Sequence, residues 1–225
     1  MGEERPHFSV MTQGVFRPDK IAASVDRFWA SGACEAETVA FQLKQLGYND
    51  PSGKTCVEFG CGLGRVTIPL ARQFAEVHAY DISGSHLTLA RKRANAQSAT
   101  NIRFHHRGGA SLEPVEKCDF FYSRLVFQHN PPPVIRELIR LALDSLRPGG
   151  LAIFGAPVYL GGYRFGIAEY LEGPETGRLE MHCIPQRQIF SLISAAQCSL
   201  IEVREERSVT NTMECLADLF VVGRP

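Results

Sequence analysis

KTCVEFGCGLGRVTIPLA, residues 54–71, runs an apolar strand into three alternating glycines and then into a helical pattern, with Glu58 set just before the first glycine. Gly60, Gly62 and Gly64 let the backbone turn sharply and come close to a ligand. The place is the carboxyl end of a strand, where open α/β sheets bind their ligands. The start of the following helix favours negative charge. A dinucleotide loop needs a GxGxxG pattern, but residue 65 is Arg, and Glu58 would repel a pyrophosphate. The pattern therefore favours a ligand with a cationic amine near Glu58 and a polar or anionic group near the loop amides and Arg65.

Outward from this loop, short runs rich in Val, Ile and Phe recur: TCVEF, AEVHAYDI, NIRFHH, DFFYSRLVF, GLAIFGAP, SLIEVREE and LADLFVVG. Helical periods separate the first five, the pattern of βαβ units on a parallel sheet with helices on both faces. After QHNPPP, the residues Val134, Ile135, Leu138, Ile139, Ala142 and Leu146 recur at spacings of three and four and predict an amphipathic helix. Asn130 is expected to cap it, Pro131 to open its first turn, and Arg147-Pro148-Gly149-Gly150 to end it. Pro69 predicts a kink or a loosened turn in the helix from Arg65. The last two strands read as an antiparallel hairpin joined around Ser208 to Cys215. An N-terminal helical segment is expected over about 18–47, and a glycine-rich lid or loop over about 157–187, all within one domain.

The 225 residues carry 24 basic and 24 acidic side chains. Neutral balance argues against a surface selected for nucleic acid or anionic membrane, which need concentrated Lys and Arg. The start of the chain has no signal-like pattern and no apolar run has the length of a membrane span, so the expectation is a soluble cytoplasmic protein, monomeric or homodimeric. Seven cysteines at irregular spacing fit a reducing compartment. His105 with His106, and His182 with Cys183, are adjacent pairs that point to opposite faces on a strand, so no metal site is expected.

The second acid sits in AYDIS, where Asp81 ends a strand. A carboxylate there matches the two adjacent hydroxyls of a ribose, and Ile82 can pack against a flat base. An amino-acid head joined to a nucleoside satisfies both acids, and S-adenosylmethionine is that molecule.

The motifs Glu58-Phe-Gly60-Cys-Gly62-Leu-Gly64-Arg65, Asp81-Ile82-Ser83, DFFYSRLVFQHNPPP and LRPGGLAIF together resemble the class I S-adenosylmethionine-dependent methyltransferases of small-molecule type. The resemblance covers about residues 28–156. It implies a doubly wound α/β fold, a seven-stranded sheet of order 3-2-1-4-5-7-6 with the last strand antiparallel. Position by position, it implies that Glu58 meets the methionine amine, that Gly60, Cys61 and Gly62 line the methionyl part, and that Asp81 binds ribose. Ser123 and Leu125 are implied as further cofactor contacts. The chain departs from the family at His106-Arg107-Gly108-Gly109-Ala110, which lacks an acid to accept from adenine, so backbone groups would serve there.

His129 precedes a helix whose N-terminal dipole disfavours the imidazolium, leaving a neutral ring able to act as general base. A structural role at the helix start is the alternative. Trp29 offers an aromatic face to a sulfonium, worth about 0.5–2 kcal/mol, or else belongs to the core. Tyr163, Phe165, Tyr170 and His182 lie in the lid segment, where an acceptor pocket or mere lid packing are both readings. The expected function is methyl transfer to an O, N or S nucleophile of a small molecule, less readily to carbon. The alternatives are a non-enzymatic binding protein that keeps the fold and cofactor, or an NAD-type oxidoreductase.

Overall fold

The computed structural model describes residues 5–107, 113, 115–173, 180–206, 208 and 214–225. The chain divides into two compact units, Met1–Ser111 and Leu112–Pro225.

The first unit begins with the short helix α1 (Pro6–Val10) and the long α2 (Val25–Gln45). Phe28, Gly32, Ala36, Val39 and Leu43 of α2 are buried, and their spacing of three or four puts them on one stripe. Strand β1 (Thr55–Phe59) leads through the glycine loop to α3 (Thr67–Leu70), and β2 (Glu76–Asp81) leads to α4 (Gly84–Ala96) and β3 (Ile102–His106). β1 pairs parallel with β2, and β2 parallel with β3. Ser83 caps α4 by accepting from the His86 amide at 3.2 Å. The helix expected from Arg65 is a single turn of four residues. Pro69 lies within that turn and has no N–H to carry the ladder further.

The second unit contains β4 (Cys118–Ser123), α5 (Pro132–Ser145), β5 (Leu146–Leu160), α6 (Ile167–Glu172), α7 (Gln186–Ala195), β6 (Ser199–Glu205) and β7 (Cys215–Gly223). β4 and β5 are parallel, whereas β7 runs antiparallel to both β5 and β6. Phe154 stacks on Phe220 at 5.4 Å between ring centres and meets Phe127 at 5.8 Å, so the β5 and β7 interior is aromatic. Burying each such ring contributes about 1.5–3 kcal/mol. The sheet order is β3-β2-β1-β4-β5-β7-β6, which is the expected order.

Three local expectations are corrected. Asn130 does not cap α5: its side-chain amide donates back to the Val126 and Phe127 carbonyls, closing the 3-10 turn Phe127–His129. Pro131 is the residue before the helix and Pro132 opens it, since a proline ring already holds the φ that the first turn needs. The Arg147–Gly150 segment does not separate α5 from a later strand. β5 begins at Leu146, opposite Cys118, and a register shift absorbs the glycines. Among the described residues no helix is long and apolar enough to cross a membrane, and no group of three or more His, Cys, Asp or Glu could hold a metal ion. Most of the β6–β7 connection, Gly108–Ala110 and Pro174–Leu179 of the expected lid lie outside the described residues.

Candidate functional site

In the first unit, the glycine loop is held from the backbone outwards. Gly60 and Cys61 both donate their amides to the Tyr80 carbonyl, at 2.8 and 2.9 Å. Gly62 donates to Asp81 Oδ2 at 2.7 Å, with φ at +53°. A Cβ on Gly62 would approach Val10 to 2.7 Å, so α1 lies directly over this turn. The loop needs glycine here for both conformation and clearance.

Asp81 ends β2 and accepts from two amides, Gly62 on Oδ2 and Ser83 on Oδ1, the latter at 2.8 Å. Each carboxylate oxygen has a second acceptor direction, so capacity for hydroxyl donors remains. His86 Nδ1 stands 3.7 Å from Oδ1, and its Nε2 shares a hydrogen bond of 2.9 Å with Ser9 Oγ. Ser9, Val10 and His86 thus belong to the surroundings of the loop, which the sequence reading missed. The one available signal was the position of His86 in the first turn after Asp81. Ile82 is 68 % exposed beside it, an apolar surface at the strand end.

Glu58 is buried, and its Oε2 accepts from Thr67 Oγ1 at 2.5 Å. Burial pushes its carboxyl up to about 8; the nearby charges of Glu35 and Asp81 push the same way, while the Thr67 bond and Arg65 oppose them. Arg65, expected beside a polar or anionic group of the ligand, is engaged within the protein. Its guanidinium turns to α2, with Nη2 2.6 Å from Glu35 Oε2 and Nη1 3.3 Å from Ser31 Oγ. α2 approaches closely enough that a Cβ on Gly32 would lie 2.0 Å from the Arg65 carbonyl oxygen. Proximity of backbones, invisible in the sequence, brings Glu35 rather than Glu58 to the cation.

Cys61 is buried, and burial raises its thiol well above the ordinary range, which makes it a packing group. Trp29 is partly buried and engaged by its neighbours. Arg93 lies over it at 4.5 Å, His7 and Phe28 meet it edge-on, and it packs on the cluster of Phe16, Phe28 and Leu63. A cation already lies over one face of the ring.

In the second unit, Ser123 ends β4 buried, and Leu125 follows in the left-handed region at φ +61°. A branched residue in this region is strained and holds the chain to a tight bend. His129 closes the next turn. Its Nδ1 lies 2.9 Å from the Glu180 carbonyl oxygen. A carbonyl only accepts, so Nδ1 carries the proton and Nε2 of the neutral ring keeps its lone pair. His182 donates its main-chain N–H to the Gln128 carbonyl at 2.8 Å, while buried Gln128 Oε1 has no hydrogen-bond partner among the described residues. The His182 ring bridges Tyr163 Oη, 2.7 Å from Nδ1, and Glu180 Oε2, 2.9 Å from Nε2.

A glycine loop at the end of β1, an acid at the end of β2 and this strand order define the class I methyltransferase fold. Residues 56–150 of the 225 match the family model described as "Methyltransferase domain". A ubiquinone biosynthesis O-methyltransferase of Ruegeria pomeroyi is 34 % identical over 112 residues, which make up 49 % of this chain and 44 % of that protein. The chain spans about half the length of the curated relatives it matches. Among solved structures, the magnesium protoporphyrin IX methyltransferase of Synechocystis PCC 6803 with bound SAH superposes with a TM-score of 0.61 at 19 % identity, over 89 % of this chain and 87 % of that one. The [4+2]-cyclase SpnF superposes with a TM-score of 0.62 at 14 % identity, over 86 % and 80 %.

Proposed function

We propose that this chain transfers the methyl group of S-adenosylmethionine to an O, N or S nucleophile of a small-molecule acceptor. The observation that carries the reading is Glu58: a carboxyl buried beneath a glycine loop, pushed up to about 8, whose neighbouring cation Arg65 is engaged by Glu35. Such a site fits a ligand that brings its own positive charge.

Glu58 would receive the ammonium group. The loop at Gly60 and Gly62 would line the methionyl part. Asp81 would accept from ribose hydroxyls while holding the Gly62 amide, and Ile82 would give the base an apolar surface. Ser123 and Leu125 carry over from the family as further contacts. When bound, the cofactor supplies an activated methyl group on a sulfonium, with a neutral thioether as leaving group. His129 would take the acceptor's proton at Nε2, with Nδ1 anchored on Glu180. Positioning supplies most of the acceleration. The acceptor is a small metabolite rather than nucleic acid, and the protein works in the cytoplasm as a monomer or homodimer.

One finding favours a second reading, that the chain binds the cofactor without transferring its methyl group: the same fold serves a [4+2]-cyclase. Calorimetry with S-adenosylmethionine and its demethylated product tests the site, and release of that product in the presence of a metabolite pool tests the reaction. Micromolar binding with release supports methyl transfer. Binding without release supports the second reading, and no binding by folded protein removes both.

A further inference from the structure

The lid segment carries a hydrogen-bonded cluster that the reaction above does not use. Tyr163, Phe165 and Tyr170 all stand edge-on or tilted around the His182 ring, at 5.7–6.0 Å between ring centres. His182 is buried, whereas Tyr163 is half-buried and Tyr170 is exposed. Polarity within the cluster is fixed by its one obligate acceptor. The Glu180 carboxylate, held below the usual range by its bonds from His182 and Tyr170, donates nothing. His182 Nε2 must therefore carry the proton that meets Glu180, and in the neutral ring Nδ1 is left as an acceptor. Tyr163 fills it by donating its only O–H. Tyr170 likewise spends its O–H on Glu180.

We propose that Tyr163 and Tyr170 form an acceptor-substrate subsite of fixed polarity, in which both phenolic oxygens only accept, so that it takes a flat molecule bearing a hydroxyl donor and turns away carboxylates. The reading rests on the methyl-transfer function. The Cys183 amide faces the Tyr163 oxygen, which leaves that oxygen one direction for a ligand, and burial raises the Tyr163 hydroxyl to about 12, so it remains a neutral phenol. An incoming carboxylate would meet lone pairs on both tyrosines and the charge of Glu180, with no proton to receive. An incoming hydroxyl would meet one or two acceptors. The aromatic rings and the exposed Ile167 and Leu171 of α6 supply apolar surface for the rest of the molecule. Buried Gln128 Oε1, on the residue whose carbonyl holds His182, is a further acceptor in want of a donor.

The test uses catechol, 2-methoxyphenol and benzoate as probes with the full chain at pH 8, reading binding by calorimetry in the presence of the demethylated cofactor. Catechol is expected to bind at least about tenfold more tightly than benzoate, consistent with one hydrogen bond made and one unsatisfied oxygen avoided. Tyr163→Phe and Tyr170→Phe should each reduce that ratio about three- to tenfold while leaving cofactor affinity unchanged. Glu180→Gln, which can donate, should restore benzoate binding. Benzoate binding as tightly as catechol, or an unchanged ratio in both tyrosine variants, overturns the subsite. Loss of cofactor binding in the unaltered chain would instead fail the methyl-transfer reading, so the two failures are distinguishable.

Discussion

His129 Nδ1 and the Glu180 main-chain oxygen stand 2.9 Å apart, 51 residues removed in sequence, and this single contact sets which nitrogen of the ring can take a proton. His129→Ala is expected to lower kcat about 10²- to 10⁴-fold, the usual contribution of a positioned general base. Cofactor affinity should stay within about twofold, because the role proposed for the residue concerns the acceptor's proton. Turnover at saturating substrate together with calorimetry checks this. Unchanged kcat would reduce His129 to a peg for the 3-10 turn.

Cofactor binding should release a proton near neutral pH. Glu58 in the free protein is pushed up to about 8 by burial, so at pH 7 it is mostly neutral, yet an ammonium partner favours the carboxylate. Affinity should rise by up to about tenfold per pH unit from pH 6 towards 8 and then level. Calorimetry in buffers of different ionisation heat reads the proton directly, and Glu58→Gln should abolish both effects.

The same group makes the free protein less stable as pH rises. The folded carboxyl titrates above its unfolded value of 4.5, so between 4.5 and about 8 the folded state binds more protons than the unfolded one, and stability declines across that window. Glu58→Gln removes the decline. Its Tm should exceed that of the unaltered chain at pH 9, and the advantage should vanish at pH 5.

Asp81→Ala should weaken cofactor binding about 10- to 100-fold, as expected for the loss of charged hydrogen bonds to ribose. It should also lower Tm by a few degrees, since the Gly62 and Ser83 amides lose their acceptor. Asp81→Asn keeps one acceptor oxygen and should lie between the two. An affinity unaltered in both variants would remove Asp81 from the site.

Glu35→Ala should destabilise the chain by about 3–5 kcal/mol, because it leaves the buried Arg65 guanidinium without its carboxylate. Thermal unfolding should show a fall of about 10 °C. Replacing both residues with Met should recover most of the loss. Equal Tm values for the unaltered chain and Glu35→Ala would show that the pair contributes nothing.

The alternation of strands and helices and the two acids were legible because both are local signals, whereas the strand order was legible only through the family resemblance. A strand, a tight turn and a helix need particular residues at particular spacings, and Glu58-Phe-Gly60 and Asp81-Ile82 carry their meaning within a few positions of chain. Partnership was not legible. Arg65 pairs with a glutamate 30 residues earlier because a glycine on α2 lets the two backbones approach, and Trp29 is covered by Arg93 from α4. The cap at α5 was misread for a related reason: Asn130 had two competing sets of backbone groups, and only the closed 3-10 turn shows which one it serves.

The sequence by itself determined the alternating elements and the placing of a carboxylate at the ends of β1 and β2, since apolar period and turn chemistry act over a few residues; the order of the strands in the sheet came from the family resemblance. Only the tertiary structure decided the charge and proton state of those groups. Burial raises Glu58, contact with the Glu180 carbonyl fixes the tautomer of His129, and contact with its carboxylate fixes the polarity of His182. Desolvation and hydrogen-bond direction depend on neighbours in space, and chain order does not name those neighbours.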